Sequence, residues 1–163
     1  DGNVNNVWVL DNLIYNMSGS GCQVAAGTPS GLNRTHHIYV GRNHVHHTRQ
    51  AGMNTKYPRD VVISQNLIHD VLDTSWSPSK GIGVQYAPEN MWIIFNTIYN
   101  CKYGVRGAGT NTGGKPVNGW PMHVIGNTVY NIDPRDQFYV YDPDSTYSNS
   151  SAFQWQGTYD LTL

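Results

Sequence analysis

The chain has 163 residues, room for one domain and little for two. Only 13% of its residues are charged and the formal net charge is −1, which argues against the basic stripe of a general nucleic-acid binder. No apolar run approaches the roughly 18 residues of a membrane span, while 39% hydrophobic content is enough for a core. The chain opens DGNVNN, with neither an initiator Met nor a signal peptide. We expect a piece of a longer chain, with a further domain or further coils at either end.

The first predicted element, NVWVLDNLIYN (6–16), is repeated four times: HIYVGRNHVHH (37–47), DVVISQNLIHD (60–70), NMWIIFNTIYN (90–100) and PMHVIGNTVYN (121–131). Alignment puts Asn12, Asn43, Asn66, Asn96 and Asn127 in one column, at spacings of 31, 23, 30 and 31. Apolar columns flank it: Val7, Ile38, Val61, Met91 and Met122; Val9, Val40, Ile63, Ile93 and Val124; Ile14, Val45, Ile68, Ile98 and Val129. Alternation at period two means strands, and the Asn interrupts it at a corner. A third short strand follows in each repeat: CQV (22–24), GMN (52–54), GIGVQ (81–85), GVR (104–106) and FYVY (138–141). The third repeat adds an excursion, VLDTSWSPSK (71–80), before that strand.

Short coils that cannot bury an apolar face alone, but can when stacked, define a solenoid. Parallel strands cross over right-handedly in nearly all proteins. The sequence therefore predicts an all-β, right-handed parallel β-helix of about five coils over residues 6–141, with a C-terminal tail at 142–163. A leucine-rich repeat would show a leucine consensus, and a propeller blade needs longer units with hairpins. In stacked coils the repeated Asn tolerates the turn backbone and bonds its copy about 4.8 Å away, making an asparagine ladder. Asn16, His47, Asp70, Asn100 and Asn131 form a second polar column, read as a sister ladder.

The repeated phrase, apolar-x-apolar-x-x-Asn-x-Ile/Val-Tyr/His-Asn, resembles the parallel β-helix repeat of the pectin-lyase-like superfamily. The tail SNSSAFQWQGTYDLTL (148–163) is similar to the closing segment of secreted microbial β-helix proteins. The resemblance implies an extracellular protein whose partner is a polysaccharide. Members include pectate, alginate and chondroitin lyases, polygalacturonases, epimerases and phage depolymerases, and others that only bind sugar or build filaments. It also implies a sugar groove along the third sheet, and calcium as the one cofactor some members use. Asp70, Asp73 and Glu89 are too scattered to assign a calcium site.

Candidate site residues follow from these columns. Val24, Met53, Val84, Val105 and Val140 are expected to point inward, which turns Ala25, Asn54, Gln85, Arg106 and Tyr141 onto the groove face. Loops should wall it with Lys56, Tyr57 and Arg59, with Asp73, Trp76 and Lys80, and with Lys115. Arg106 could grip a uronate carboxylate and stabilise enolate-like charge; the plainer reading is a solvated arginine. Lys80 could act as a base only if burial or neighbouring charge depressed its pKa; otherwise it is a solvated loop lysine.

His47 and Asp70 share a column in adjacent coils, as do His37 and Asp60, and an Asp-oriented His is a familiar acid/base pair. Satisfied turn ladders are the favoured reading of both pairs, since a catalytic pair is rarely duplicated one corner away. A metal bound by His44, His46, His47 and His69 is disfavoured, because His47 should face away from the other two on its strand. Tyr15, His46, His69, Tyr99 and Tyr130 form one outward ring column, and Trp8, Tyr39, Val62, Trp92 and His123 another. Either could stack on sugars or on itself. Cys22 and Cys101 lie roughly 14 Å apart by strand spacing, too far for a disulfide. Asn16, Asn33 and Asn149 head formal glycosylation sequons.

Two functions fit these features. One is an extracellular lyase-like or depolymerase module acting on an acidic glycan, with Arg106, Lys80, His47 and Asp70 as chemical groups and Asn54, Gln85, Tyr141, Trp76, Lys56 and Arg59 binding substrate. The other is a non-catalytic carbohydrate-binding or structural solenoid.

Overall fold

The alternation of apolar residues is realised as short strands that pair only with their counterparts in neighbouring coils. The computed structural model describes residues 4–25, 35–57, 59–85, 89–108, 122–133, 135–141 and 153–158. Each coil supplies a leading strand before the repeated Asn, a trailing strand after it, and a third strand. The leading strands are β1 (Asn5–Leu10), β4 (His36–Gly41), β7 (Arg59–Ser64), β10 (Glu89–Ile94) and the first half of β13 (Met122–Tyr130). The trailing strands are β2 (Leu13–Tyr15), β5 (His44–His46), β8 (Leu67–His69), β11 (Thr97–Tyr99) and the second half of β13. The third sheet runs β3 (Cys22–Ala25), β6 (Ala51–Lys56), β9 (Lys80–Gln85), β12 (Tyr103–Ala108) and β14 (Phe138–Tyr141).

Every pairing is parallel, as a β-helix requires, and the leading and trailing strands join into one sheet through β13. Within the segment read as a tail, β15 (Phe153–Thr158) pairs with β13 and extends the stack. The core is a column of aliphatic layers. Ile38, Val61, Met91 and Met122 come from leading strands, Val45, Ile68, Ile98 and Val129 from trailing ones, and Met53, Ile82 and Val105 from the third sheet. Cys22 and Cys101 pack against this core as free thiols, and burial pushes Cys101 up to about 12.

The repeated Asn turns its amide inward. Nδ2 of each of Asn12, Asn43, Asn66 and Asn96 donates to Oδ1 of the next, at 2.9, 3.0, 2.9 and 2.9 Å. Each of these Oδ1 atoms also accepts the backbone N–H of the Asn one coil before. The left-handed backbone at this corner belongs to the preceding residue, not to the Asn: Asp11, Arg42, Gln65, Phe95 and Gly126 have φ between 54° and 63°. Turn tolerance is therefore not what selects the Asn; its buried amide is. The sister column does hold left-handed backbone, at Asn16, His47, Asp70, Asn100 and Asn131, residue types enriched there because short polar side chains bond locally.

One alignment needs correction. Met53 is level with Cys22, Ile82, Val105 and Phe138, whereas Val24 is level with Thr55, Val84, Gly107 and Val140. The third strand is positioned not by distance from the Asn but by a glycine at its start. A Cβ on Gly52 would lie 2.2 Å from Ile68 Cγ2, and one on Gly81 2.3 Å from Ile98 Cγ2. Only glycine lets the third strand approach the trailing strand this closely. The slip is two residues, so inward residues stay inward.

Asn66→Ala should strand the Asn43 N–H and the Val40 carbonyl, both served now by the Asn66 amide. With buried unsatisfied groups costing about 1–3 kcal/mol each, the loss should be about 3–5 kcal/mol. Asn12→Ala, at the exposed end of the ladder, should cost about 1 kcal/mol. Urea denaturation of the two variants beside the parent checks the difference.

Candidate functional site

The outward face of the third sheet carries two columns. Gln23, Asn54, Gly83 and Arg106 are level in one, and Ala25, Lys56 and Gln85 in the other, while the backbones of Tyr139 and Tyr141 pair with those of Arg106 and Ala108. Asn54 and Arg106 thus share a column as expected, but Gln85 belongs to the next, beside Lys56. Lys56 is not on a loop; it ends β6 on the sheet itself. Arg59 is likewise in a strand, at the start of β7, and is engaged by carboxylates: its Nε lies 3.5 Å from Asp60 and 3.7 Å from Glu89.

Lys80 differs most from expectation. It is the first residue of β9, only 4% exposed, and not a solvated loop residue. Its stem runs over Gly83, where a Cβ would come within 3.1 Å of Lys80 Cδ and 3.2 Å of Cε. Nζ donates to Ser77 Oγ at 2.8 Å and to the Pro78 carbonyl at 3.5 Å. Burial pushes its ammonium down to about 8, and the charges of Arg106 and Lys56 act in the same direction. Arg106 lies across the Tyr103 ring, with Cζ 4.9 Å from the centroid. Asn54 is 6% exposed, its Nδ2 donates weakly to Gln23 Oε1 at 3.4 Å, and its Oδ1 is buried without a hydrogen-bond partner. That oxygen overhangs Gly83, within 2.5 Å of where a Cβ would be.

The excursion beside Lys80 is braced from within. Thr74 Oγ1 donates to the Ser77 carbonyl at 3.0 Å and accepts the Ser77 N–H at 2.9 Å, and Asp73 Oδ1 accepts the Ser79 N–H at 2.5 Å. The brace holds Ser77 and Pro78 against Lys80 and leaves Trp76 91% exposed. Gly83, Ser77 and Tyr103 were not singled out from sequence. The usable signal was the glycine inside a strand, which marks a close approach. Among the described outward residues of this sheet there is no carboxylate. The Tyr141 side chain and Lys115 lie outside the described residues.

The proposed His47–Asp70 pair does not form. Asp70 Oδ2 instead accepts from Nδ1 of its chain neighbour His69 at 2.7 Å, and Oδ1 accepts Asn100 Nδ2 at 2.8 Å. His47 Nδ1 lies 2.7 Å from His46 Nδ1. Sharing a column made His47 and Asp70 neighbours, but the αL corner turns each side chain toward the residue before it. Of the other pair, His37 Nε2 is 3.9 Å from Asp60, whose Oδ1 accepts Asn90 Nδ2 at 2.7 Å. Both sets therefore serve ladders at corners. The trailing-sheet rings do stack: Tyr15–His46, His46–His69, His69–Tyr99 and Tyr99–Tyr130 lie 4.6–5.4 Å apart and nearly parallel.

No protein-family model matches the sequence, and no curated protein matches it. Among solved structures, the A-module of mannuronan C-5 epimerase AlgE4 from Azotobacter vinelandii is similar, with a TM-score of 0.54 and 15% identity. The match covers 97% of this chain and 46% of that one, so the chain spans about half its length. At that identity the likeness is one of fold: a parallel β-helix.

Lys80 should titrate near pH 8, against about 10.4 for an ordinary lysine. Arg106→Gln removes a like charge and should raise that value. NMR titration of the lysine side chains, with Lys80 assigned by substitution, checks both the position and the direction.

Proposed function

We propose that the exterior of the third sheet binds an acidic polysaccharide and abstracts the proton next to a uronate carboxylate, with Lys80 as the base. The observation that carries this reading is Lys80 itself: a lysine buried on a groove face, held near pH 8 by burial and by two neighbouring cations. A general base is most effective when its pKa lies near the working pH.

The neutral amine takes the C5 proton, and the C–H electron pair moves into the carboxylate to give an enediolate. Arg106 and Lys56 supply positive charge where that negative charge develops. Collapse of the enediolate with loss of the C4 substituent is elimination; return of a proton from the opposite face is epimerisation. The structurally similar epimerase module is named for the second outcome on mannuronan. Glycoside hydrolysis suits the groove poorly, since most hydrolases need two facing carboxylates. A polysaccharide substrate also makes an extracellular location the natural one.

A second reading, binding without catalysis, has its own observation. Trp8, Tyr39, Val62 and Trp92, with Asp60 and Asn90 at the rim, line an open cavity of about 370 Å³ on the leading sheet. Val62 leaves a gap in an otherwise aromatic column, wide enough for a flat ring between Tyr39 and Trp92.

Incubation in D2O with polymannuronate, alginate, pectate and glycosaminoglycans, with and without calcium, separates the readings. Deuterium at C5, or ultraviolet absorbance of an unsaturated product, is expected, with the rate rising with pH through about 8. Lys80→Met and Arg106→Gln should each lower it at least 100-fold. Glycan binding without exchange or elimination, abolished by Trp92→Ala, would leave the binding reading in its place.

A further inference from the structure

Two columns of rings run up the outside of the coil, and only one of them is closed. On the trailing sheet each ring covers the next from Tyr15 to Tyr130, at 4.6–5.4 Å, which leaves no face for a ligand between them. On the leading sheet Trp8, Tyr39, Val62, Trp92 and His123 are level in successive strands, and Val62 interrupts the rings. Tyr39 and Trp92 therefore stand two strand steps apart, about 9.6 Å, on either side of an isopropyl floor. This slot lies in the cavity of about 370 Å³ described above.

The walls are set by the chain itself. Trp92 stacks on His123, with ring centroids 3.9 Å apart and planes 22° apart, and its Nε1 donates to Asn90 Oδ1 at 3.1 Å. One indole face is thereby covered, and the other is turned toward the level of Val62. Across the slot the Tyr39 ring lies over Gly41, where a Cβ would come within 2.5 Å of Cε1. The polar rim comes from the corner before these strands, where His37, Asp60 and Asn90 all have left-handed backbone. Asn90 Nδ2 donates to Asp60 Oδ1 at 2.7 Å, so amide and carboxylate stand side by side.

Width and charge together select an occupant. A planar ring stacks at about 3.5 Å on each side, fills about 7 Å, and leaves the slot loose. A chair pyranose, thickened by its pucker and axial C–H bonds, makes apolar contact at about 4.0–4.5 Å on each side and fills about 8–9 Å. Its C–H faces suit the two ring faces, and its edge hydroxyls suit a carboxylate beside an amide. At the rim, Arg59 is shared between Asp60 at 3.5 Å and Glu89 at 3.7 Å. One guanidinium against two carboxylates leaves this corner negative, the opposite of the third sheet, and a uronate is disfavoured there.

We propose that the slot over Val62 binds a pyranose ring of a neutral glycan chain, as a second site separate from the groove of Lys80. The proposal rests on the leading-sheet cavity being a glycan site, and adds which sugar it takes: one with hydroxyls and no carboxylate.

The test is an NMR titration of the chain with a β-1,4-linked mannose hexamer and with the mannuronate hexamer, which differs by its carboxylates. The indole N–H of Trp92, assigned by substitution, reports on the slot. The mannose hexamer should shift it and bind there at least tenfold more tightly than the mannuronate hexamer. Trp92→Ala should weaken mannose binding at least tenfold. Val62→Tyr, which fills the slot with a residue suited to a strand, should abolish it, whereas Val62→Ala leaves the slot open and should change it less than about threefold. Circular dichroism checks the fold of each variant. Asp60→Asn should narrow the preference for the uncharged hexamer. Mannose binding untouched by Val62→Tyr would overturn the proposal. Mannuronate bound as tightly as mannose, and lost in Trp92→Ala, would sink the charge selection while leaving a glycan site on this sheet. If neither hexamer moves the Trp92 signal, both readings of the leading sheet fall.

Discussion

The structure depends on one polar interaction repeated at one corner. A solenoid whose coils turn sharply must bring backbone N–H and C=O groups into the interior where no strand partner can reach them, and such groups are costly when left unpaired. The ladder amides meet this demand in both directions. Nδ2 of Asn43, Asn66, Asn96 and Asn127 donates to the carbonyls of Val9, Val40, Ile63 and Ile93 one coil back, while Oδ1 takes the N–H of the preceding Asn. Because each amide serves two coils, the ladder fixes axial spacing and register together. The aliphatic layers supply the bulk of the stabilisation, but they would tolerate sliding; the amides would not.

That constraint explains what could be read from the sequence. The Asn column and its flanking Val and Ile columns share one local geometry, so counting from the Asn placed the leading and trailing strands in correct register. Beyond the trailing strand the count lost its anchor. The loops before β6 and β9 differ in length, and the third strand is set by Gly52 and Gly81 packing against Ile68 and Ile98. Those glycines were visible, but only the close approach of two strands gives them meaning. The two-residue slip preserved faces, which is why Arg106 and Asn54 were still placed on the groove while Gln85 was assigned to the wrong column.

Side-chain choice was less legible than position. Sharing a column brings His47 and Asp70 within reach, yet nothing in the spacing says that Asp70 will prefer its chain neighbour His69. That preference follows from left-handed backbone at Asp70, with φ of 51°. Burial of Lys80 was hidden for a different reason. It depends on Gly83 offering no side chain, three residues on in the same strand, and on a self-bonded excursion that places Ser77 over the ammonium. Neither leaves a periodic trace.

The corrected map divides the molecule's polar chemistry by face. Most carboxylates that could have quenched the groove cations are committed elsewhere. Asp60 and Glu89 hold Arg59 at one corner, Asp70 orients His69 at another, and Asp73 is spent inside the excursion. The third sheet brings Lys80, Arg106 and Lys56 together, and burial first, then the charges of the other two, lowers the pKa of Lys80. A cluster of like charges is a standing electrostatic cost in the free protein, and an anionic ligand relieves it. In the proposed reaction an anion bound there would raise the pKa of Lys80, so the carboxylate would have to be held by Arg106 and Lys56 with the amine left neutral. The two cations are held differently: Arg106 lies across the Tyr103 ring, whereas the stem of Lys80 lies over Gly83 and its Nζ donates to Ser77 Oγ and the Pro78 carbonyl, acceptors that orient the amine whether or not it is charged.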